Sequence, residues 1–154
     1  EAGAALTDIT AIGVGTGPGN FTGVRISVAA ARGLALGLGV PAIGVTRLEA
    51  LAYGLPRPVT VIEDARRGEV YVQRFDASGP EAARIVAAEA LGMVEGAVVA
   101  RNGLISLPIA EAIARIAVTR ASSVQPRPAP MYLRGADAAP PSDPPPVILD
   151  LAAP

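Results

Sequence analysis

Three groups of residues have types and spacings that chemistry uses. The first is the run GTGPGN, Gly15 to Asn20. A glycine-rich turn between a strand and a helix is where anions bind, because backbone N–H groups and the helix N-terminus converge there. Gly15, Gly17 and Gly19 are therefore candidate phosphate-binding residues. Their spacing is G-x-G-x-G, which matches neither the dinucleotide fingerprint G-x-G-x-x-G nor the P-loop with its lysine. A tight strand-to-helix turn accounts for the same residues.

The second group is Glu63, Asp64 and Glu69 with Arg66 and Arg67 between them. Paired carboxylates can hold Mg²⁺ or act as acid and base. A solvated charged turn has the same composition. The third group is Arg25 and Arg32, seven residues apart in an otherwise apolar segment. Arginine is enriched at protein interfaces. It also lies on surfaces with its stem over apolar neighbours. Because the segment has no polar side, the interface reading is preferred.

The residues that are missing narrow the chemistry further. All 13 basic residues are Arg, and there is no His, Cys or Trp. That removes a Ser-His-Asp triad, a Cys nucleophile and a zinc site with nitrogen or sulfur ligands. It also removes a Schiff base, a Ser-Lys dyad and a Walker lysine. Only carboxylates, guanidinium groups, hydroxyls and the backbone are left to act.

The elements that must carry these groups follow from the pattern. Asp8 to Gly15 reads as a short buried strand. Asn20 suits the N-cap of a helix from Phe21 to about Leu38, with Gly39 at its end and Pro41 stopping it. At 100° per residue, Phe21, Val24, Arg25, Val28, Arg32, Ala35 and Leu36 share one face. The opposite side carries Ile26, Ala29, Ala30, Gly33, Leu34 and Gly37. Both sides are apolar or small, so one is expected on a sheet and the other on a second helix or another protein. Phe21, Val24, Arg25, Val28, Arg32 and Leu36 are taken as the partner face.

Pro41 to Thr46 reads as a second buried strand and Arg47 to Tyr53 as a short helix closing at Gly54. Strand, helix, strand, helix implies a parallel sheet. Leu55 to Pro58 marks a boundary. Beyond it, Val59 to Glu63 and Glu69 to Phe75 form a β-hairpin with a charged tip. Glu81 to Leu91 has helical composition, while Arg84 to Ala87 fits a strand equally well. Ala97 to Ala100 reads as a strand before a turn at Asn102-Gly103. Ser106 to Ala121 reads as a helix capped by Ser106. Nine of the 15 prolines follow Gln125, so the tail must be extended and is expected to wrap the surface. The units are then 1–56, 57–135 and a proline-rich tail, 136–154.

The whole chain has 154 residues, is 51% apolar and carries a net charge of −1. It has material for a core and no basic field for gripping nucleic acid. The apolar stretch Ile26 to Val45 is long, but Arg32, Pro41 and its glycines argue against a membrane span. With no disulfide framework and no signal-peptide pattern ahead of the first strand, the expected compartment is the cytoplasm.

These residues also carry a family resemblance. GTGPGNFTGVRISVAAARGLALGLGVPAIGVTRLEALA, Gly15 to Ala52, resembles the signature of the TsaB (YeaZ) family. VIEDARRGEVYVQRFD, Val61 to Asp76, resembles its second motif, and PAPMYLRG, Pro128 to Gly135, its closing motif. The three stand in the family's order and cover about half of the chain. The resemblance implies an α/β, ribonuclease-H-like (actin-like ATPase) fold of two small α/β units. Family members begin with a three-stranded sheet and a helix ahead of the segment that starts here, so the N-terminal sheet is expected to be incomplete.

The implied role is non-catalytic: a scaffold in the bacterial threonylcarbamoylation of tRNA adenosine next to the anticodon. The implied partners are a catalytic TsaD-type subunit and a TsaE-type ATPase, with a homodimer through the same helix as the other pairing. tRNA would be met only through the complex, and ATP or ADP with Mg²⁺ likewise, with no intrinsic cofactor or metal. The family's glycine turn maps onto Gly15, Gly17, Pro18, Gly19 and Thr22. The wider family's glycoprotease label does not fit, since the catalytic paralogue's metal site uses histidines. The alternative is a nucleotide hydrolase that binds phosphates at the glycine turn and Mg²⁺ at a second loop of Asp64, Arg66 and Glu69.

Overall fold

The computed structural model describes residues 3–92, 94, 97–99 and 107–134. These residues form a mixed α/β structure. In chain order the elements are β1 (Ile12–Gly15), α1 (Phe21–Leu38), β2 (Ala42–Val45), α2 (Arg47–Ala52), β3 (Val59–Arg66), β4 (Glu69–Asp76), β5 (Gly79–Pro80), β6 (Arg84–Ala87), β7 (Ala97–Val99) and α3 (Ile109–Arg120).

β1 and β2 pair in parallel, Ile12 opposite Ala42 and Gly15 opposite Val45. The sequence IGVG gives this pair two unlike faces. Ile12 and Val14 pack with Val24, Val28 and Ala31 of α1. Gly13 and Gly15 face α3, which comes so close that a Cβ on Gly13 would lie 2.9 Å from Ala117 Cβ. α1 and α3 therefore cover opposite sides of β1. Thus α3, from the far side of the Leu55–Pro58 boundary, closes the layer that β1 and β2 begin.

The second sheet runs β5-β4-β3-β7, with β6 also on β4. β3 and β4 are antiparallel, and β7 lies parallel to β3. α2 joins the two layers. Its Leu48, Leu51 and Ala52 pack on Val59, Val61 and Phe75 of the hairpin. Its Ala50 packs with Val45, Ala112 and Ile116. Thr46 caps it by accepting the Glu49 N–H at 3.1 Å.

Several expected boundaries shift. The first strand begins at Ile12, not Asp8, because Leu6–Asp8 forms a 3₁₀ turn whose Asp8 carboxylate accepts the Ala5 N–H at 2.8 Å. The last helix begins at Ile109, since Pro108 disfavours helical backbone at Leu107. The expected cap Ser106 lies outside the described residues, as do Ala100, the Asn102-Gly103 turn and the tail 136–154. Within Glu81 to Leu91, the β4 edge decides the structure. Arg84–Ala87 pairs with Val72 to Glu69 as a strand, and Ala88–Ala90 forms a 3₁₀ turn. At the β4–β5 turn, Asp76 accepts from the Ser78 hydroxyl and from the Ser78 and Gly79 N–H groups. These bonds, the Ser78 hydroxyl's first, hold its carboxyl below the ordinary value.

Gly13→Ala is expected to cost about 1–3 kcal/mol in urea unfolding, the usual range for overpacking. In an Ala117→Gly background the same change is expected to cost less, because the opposing methyl is gone.

Candidate functional site

The glycine turn is built by hydrogen bonds on both sides. Thr16 N–H donates to Val45 O at 2.9 Å, and Arg47 N–H donates to Gly17 O at 2.7 Å. A third bond comes from far along the chain: Met131 N–H donates to Thr16 O at 2.7 Å. Residues 124–134 run without helix or strand, and their end straps the turn. Gly17 has φ 97°, and a Cβ there would lie 3.2 Å from Met131 O. Gly44 is crowded in the same way, its added Cβ falling 2.9 Å from Thr16 Cγ2 and 3.5 Å from Pro128 Cβ. At the helix start Asn20 Oδ1 accepts the Gly23 N–H at 2.8 Å. Gly15, Gly17 and Gly19 thus form a strapped strand-to-helix turn, with Thr22 exposed in the first turn of α1.

The hairpin tip has the same character. Arg66, Arg67 and Gly68 all have positive φ, at 65°, 54° and 74°. Such backbone costs a non-glycine residue about 1–2 kcal/mol. Asp64 Oδ1 accepts the Arg66 N–H at 3.1 Å, and Gly68 O accepts the Ala88 N–H at 2.8 Å. Glu69 pairs with Arg134 of the strap. Glu63 accepts Arg47 Nε on both oxygens at 2.7 Å. The carboxylates that suggested a Mg²⁺ loop are engaged by groups of this chain. Among the described residues no three His, Cys, Asp or Glu side chains group as metal ligands.

α1 buries a single row. Val28 is 2% exposed and Ala31 and Ala35 are also buried, while Val24 is half-buried. This corrects the expected partner face. Val28 belongs to this chain's own core against Val14, and Val24 packs beside it. Phe21 and Arg25 are bound within the chain to Tyr132. The rings of Phe21 and Tyr132 lie 5.1 Å apart, Arg25 Cζ sits 3.7 Å over the Phe21 ring, and Arg25 Nε donates to Tyr132 Oη at 2.6 Å. Arg32 and Leu36 stand exposed, Leu36 at 85%.

The other side of α1 is open. Ile26 is 63% and Leu34 58% exposed. Ala29 and Ala30 are exposed with them, and Gly33 and Gly37 have nothing within 4 Å of an added Cβ. This helix is long and apolar enough to cross a membrane by length and composition. Its ends, however, return to two strands that pair directly, and its buried row lies on β1.

The family described as "TsaD: tRNA N6-adenosine threonylcarbamoyltransferase" matches residues 1–136. The chain belongs to this family, in its TsaB (YeaZ) branch. The Escherichia coli (strain K12) tRNA threonylcarbamoyladenosine biosynthesis protein TsaB is 51% identical over 74 residues, 45% of this chain and 32% of that protein. The Bacillus subtilis (strain 168) protein of the same name is 46% identical over 70 residues, 42% of this chain and 29% of that protein. The solved structure of YeaZ from Pseudomonas aeruginosa superposes with TM-score 0.64 at 27% identity, covering 86% of this chain and 78% of that one. The matches to these curated TsaB proteins span about a third of their length.

Tyr132 and Arg134 carry contacts that spacing did not reveal. They sit in the PAPMYLRG motif, but Arg25 and Tyr132 are 107 residues apart in sequence. In this TsaB-family chain, burial separates the two sides of α1 in a way that mutation can read. Val28→Glu places an unpaired carboxylate in the core and is expected to cost about 3 kcal/mol or more. Leu36→Glu on the open side is expected to change stability by about 0.5 kcal/mol or less in the same urea titration.

Proposed function

We propose that this chain is the non-catalytic scaffold subunit in threonylcarbamoylation of tRNA adenosine next to the anticodon, and that it binds a TsaD-type catalytic subunit. The observation that carries this reading is the open side of α1, Ile26, Ala29, Ala30, Gly33, Leu34 and Gly37. Small residues at helical spacing let a second helix approach closely, and the leucine and isoleucine beside them supply the apolar area. Arg32 and Leu36 flank this side in the proposal, and Val24 and Val28 leave it. The TsaB name of the relatives supports the pathway.

In this reading the fold is the ribonuclease-H-like fold of the actin-like ATPases, with units at 1–56 and 57–135. A TsaE-type ATPase joins the same assembly, ATP and Mg²⁺ act there, and the setting is the bacterial cytoplasm. A homodimer through α1 is the competing pairing. The hydrolase alternative needs Asp64 and Glu69 for Mg²⁺, and the Arg66 N–H and Arg134 already engage them.

Light scattering behind size exclusion tests the proposal with the full-length protein, alone and mixed with a TsaD-type subunit. A mixed species at the heterodimer mass is expected. Gly33→Leu is expected to fold, because open space surrounds that position. It is also expected to weaken the heterodimer tenfold or more, which corresponds to about 1.4 kcal/mol. No mixed species with the wild-type protein, or a Gly33→Leu heterodimer of unchanged affinity, overturns the assignment of α1.

A further inference from the structure

The chain contains only two Phe, three Tyr and no Trp. Two of these five rings are spent at the surface: Phe21 is 42% and Tyr132 45% exposed, stacked on each other. Rings that serve only stability are drawn into the core, as Phe75 is here. Phe21 and Tyr132 are instead fixed in the open by Arg25, which lies over one ring and donates to the hydroxyl of the other. The cluster is preorganised, so little side-chain freedom remains to be lost on binding.

The surroundings of this cluster are cationic. Two residues beyond Tyr132, about 7 Å of extended chain at most, stands Arg134, paired with Glu69. Glu69 is the register partner of Arg66, and Arg67 follows at the tip. Arg25, Arg66, Arg67 and Arg134 thus share one edge with the carboxylates of Asp64 and Glu69. The positive excess there contrasts with the chain's net −1. The apolar side of α1 does not continue into the platform, since Ile26 points about 140° round the helix from Phe21 at 100° per residue.

We propose that this edge binds single-stranded RNA, with an unstacked base on the Phe21–Tyr132 platform and the phosphate backbone tracking toward Arg134 and Arg66. Ring faces beside a guanidinium track are the means by which proteins hold unpaired nucleotides. A protein partner would also use Tyr and Arg, but the charge excess and the break from the apolar side favour a polyanion. The inference goes beyond the scaffold role: the chain contributes its own RNA contact and does not meet RNA only through a partner.

Fluorescence anisotropy with the full-length protein tests it, using a labelled unstructured RNA of about 12 nucleotides and a duplex of the same length. The single strand is expected to bind in the tens of micromolar and to weaken at least threefold between about 50 and about 200 mM salt. Phe21→Leu keeps apolar contact and removes the ring face. It is expected to weaken binding about fivefold. Arg66→Gln, at the exposed tip, is expected to lower the salt slope by about one phosphate contact and keeps the test open if Phe21→Leu does not fold. Three outcomes overturn the proposal: no binding of the single strand, equal binding of the duplex with both variants silent, or variants that lose only the TsaD-type partner.

Discussion

The close approach of α3 to β1 organises this molecule. It depends on the alternation IGVG, which sends two large side chains to one face of the strand and none to the other. The bare face admits a helix at Cβ contact distance, and Ala117, Ile113 and Ala112 fill it. With that face closed, α1 covers only the other side of the sheet. It buries one row, Val24 to Ala35, and turns its remaining apolar residues outward. Partner binding through α1 is therefore a consequence of how the sheet's far face is filled, and not of the helix alone.

The strap ending at Arg134 is the second organising element. It hydrogen-bonds the glycine turn, stacks on the start of α1 and neutralises a carboxylate of the hairpin. A turn that looks ready for phosphate is in this way made into a structural joint. Its glycines are needed for the positive φ at Gly17 and for the closeness of Met131 O. The acidic tip is similarly converted, each carboxylate being answered by an arginine or a backbone N–H. A chain with neither His, Cys nor Lys has few other groups to spend on catalysis, and the scaffold proposal agrees with that.

The two proposed surfaces divide the labour by chemistry. The open side of α1 is apolar and small, and it suits another helix. The strap edge is aromatic and cationic, and it suits an unpaired nucleotide. Both grow from α1, one from its open side and one from its first turn, so a partner on the first would hold the second in a fixed orientation.

Much of the architecture could be read from local pattern. Asn20 and Gly39 bounded α1 correctly because capping is a matter of a few neighbouring residues. The hairpin, β2 and α2 followed from alternation, short apolar runs and the Thr46 cap for the same reason. Arg84 to Ala87 could not be settled that way, because a four-residue segment becomes a strand only when an edge such as β4 accepts its hydrogen bonds. The side of α1 that meets the sheet was also misjudged. Helical periodicity places Val28 and Ile26 on different sides but cannot say which side finds β1.

Residue types and their near neighbours thus settled the elements, the poverty of catalytic groups and the family resemblance. Only the assembled chain decided which apolar face stays open, that the glycine turn is strapped, and that Phe21, Arg25 and Tyr132 meet. Those facts rest on contacts between residues as much as 107 positions apart. Burial and charge pairing are set by whatever the fold brings alongside, and no window of sequence contains that.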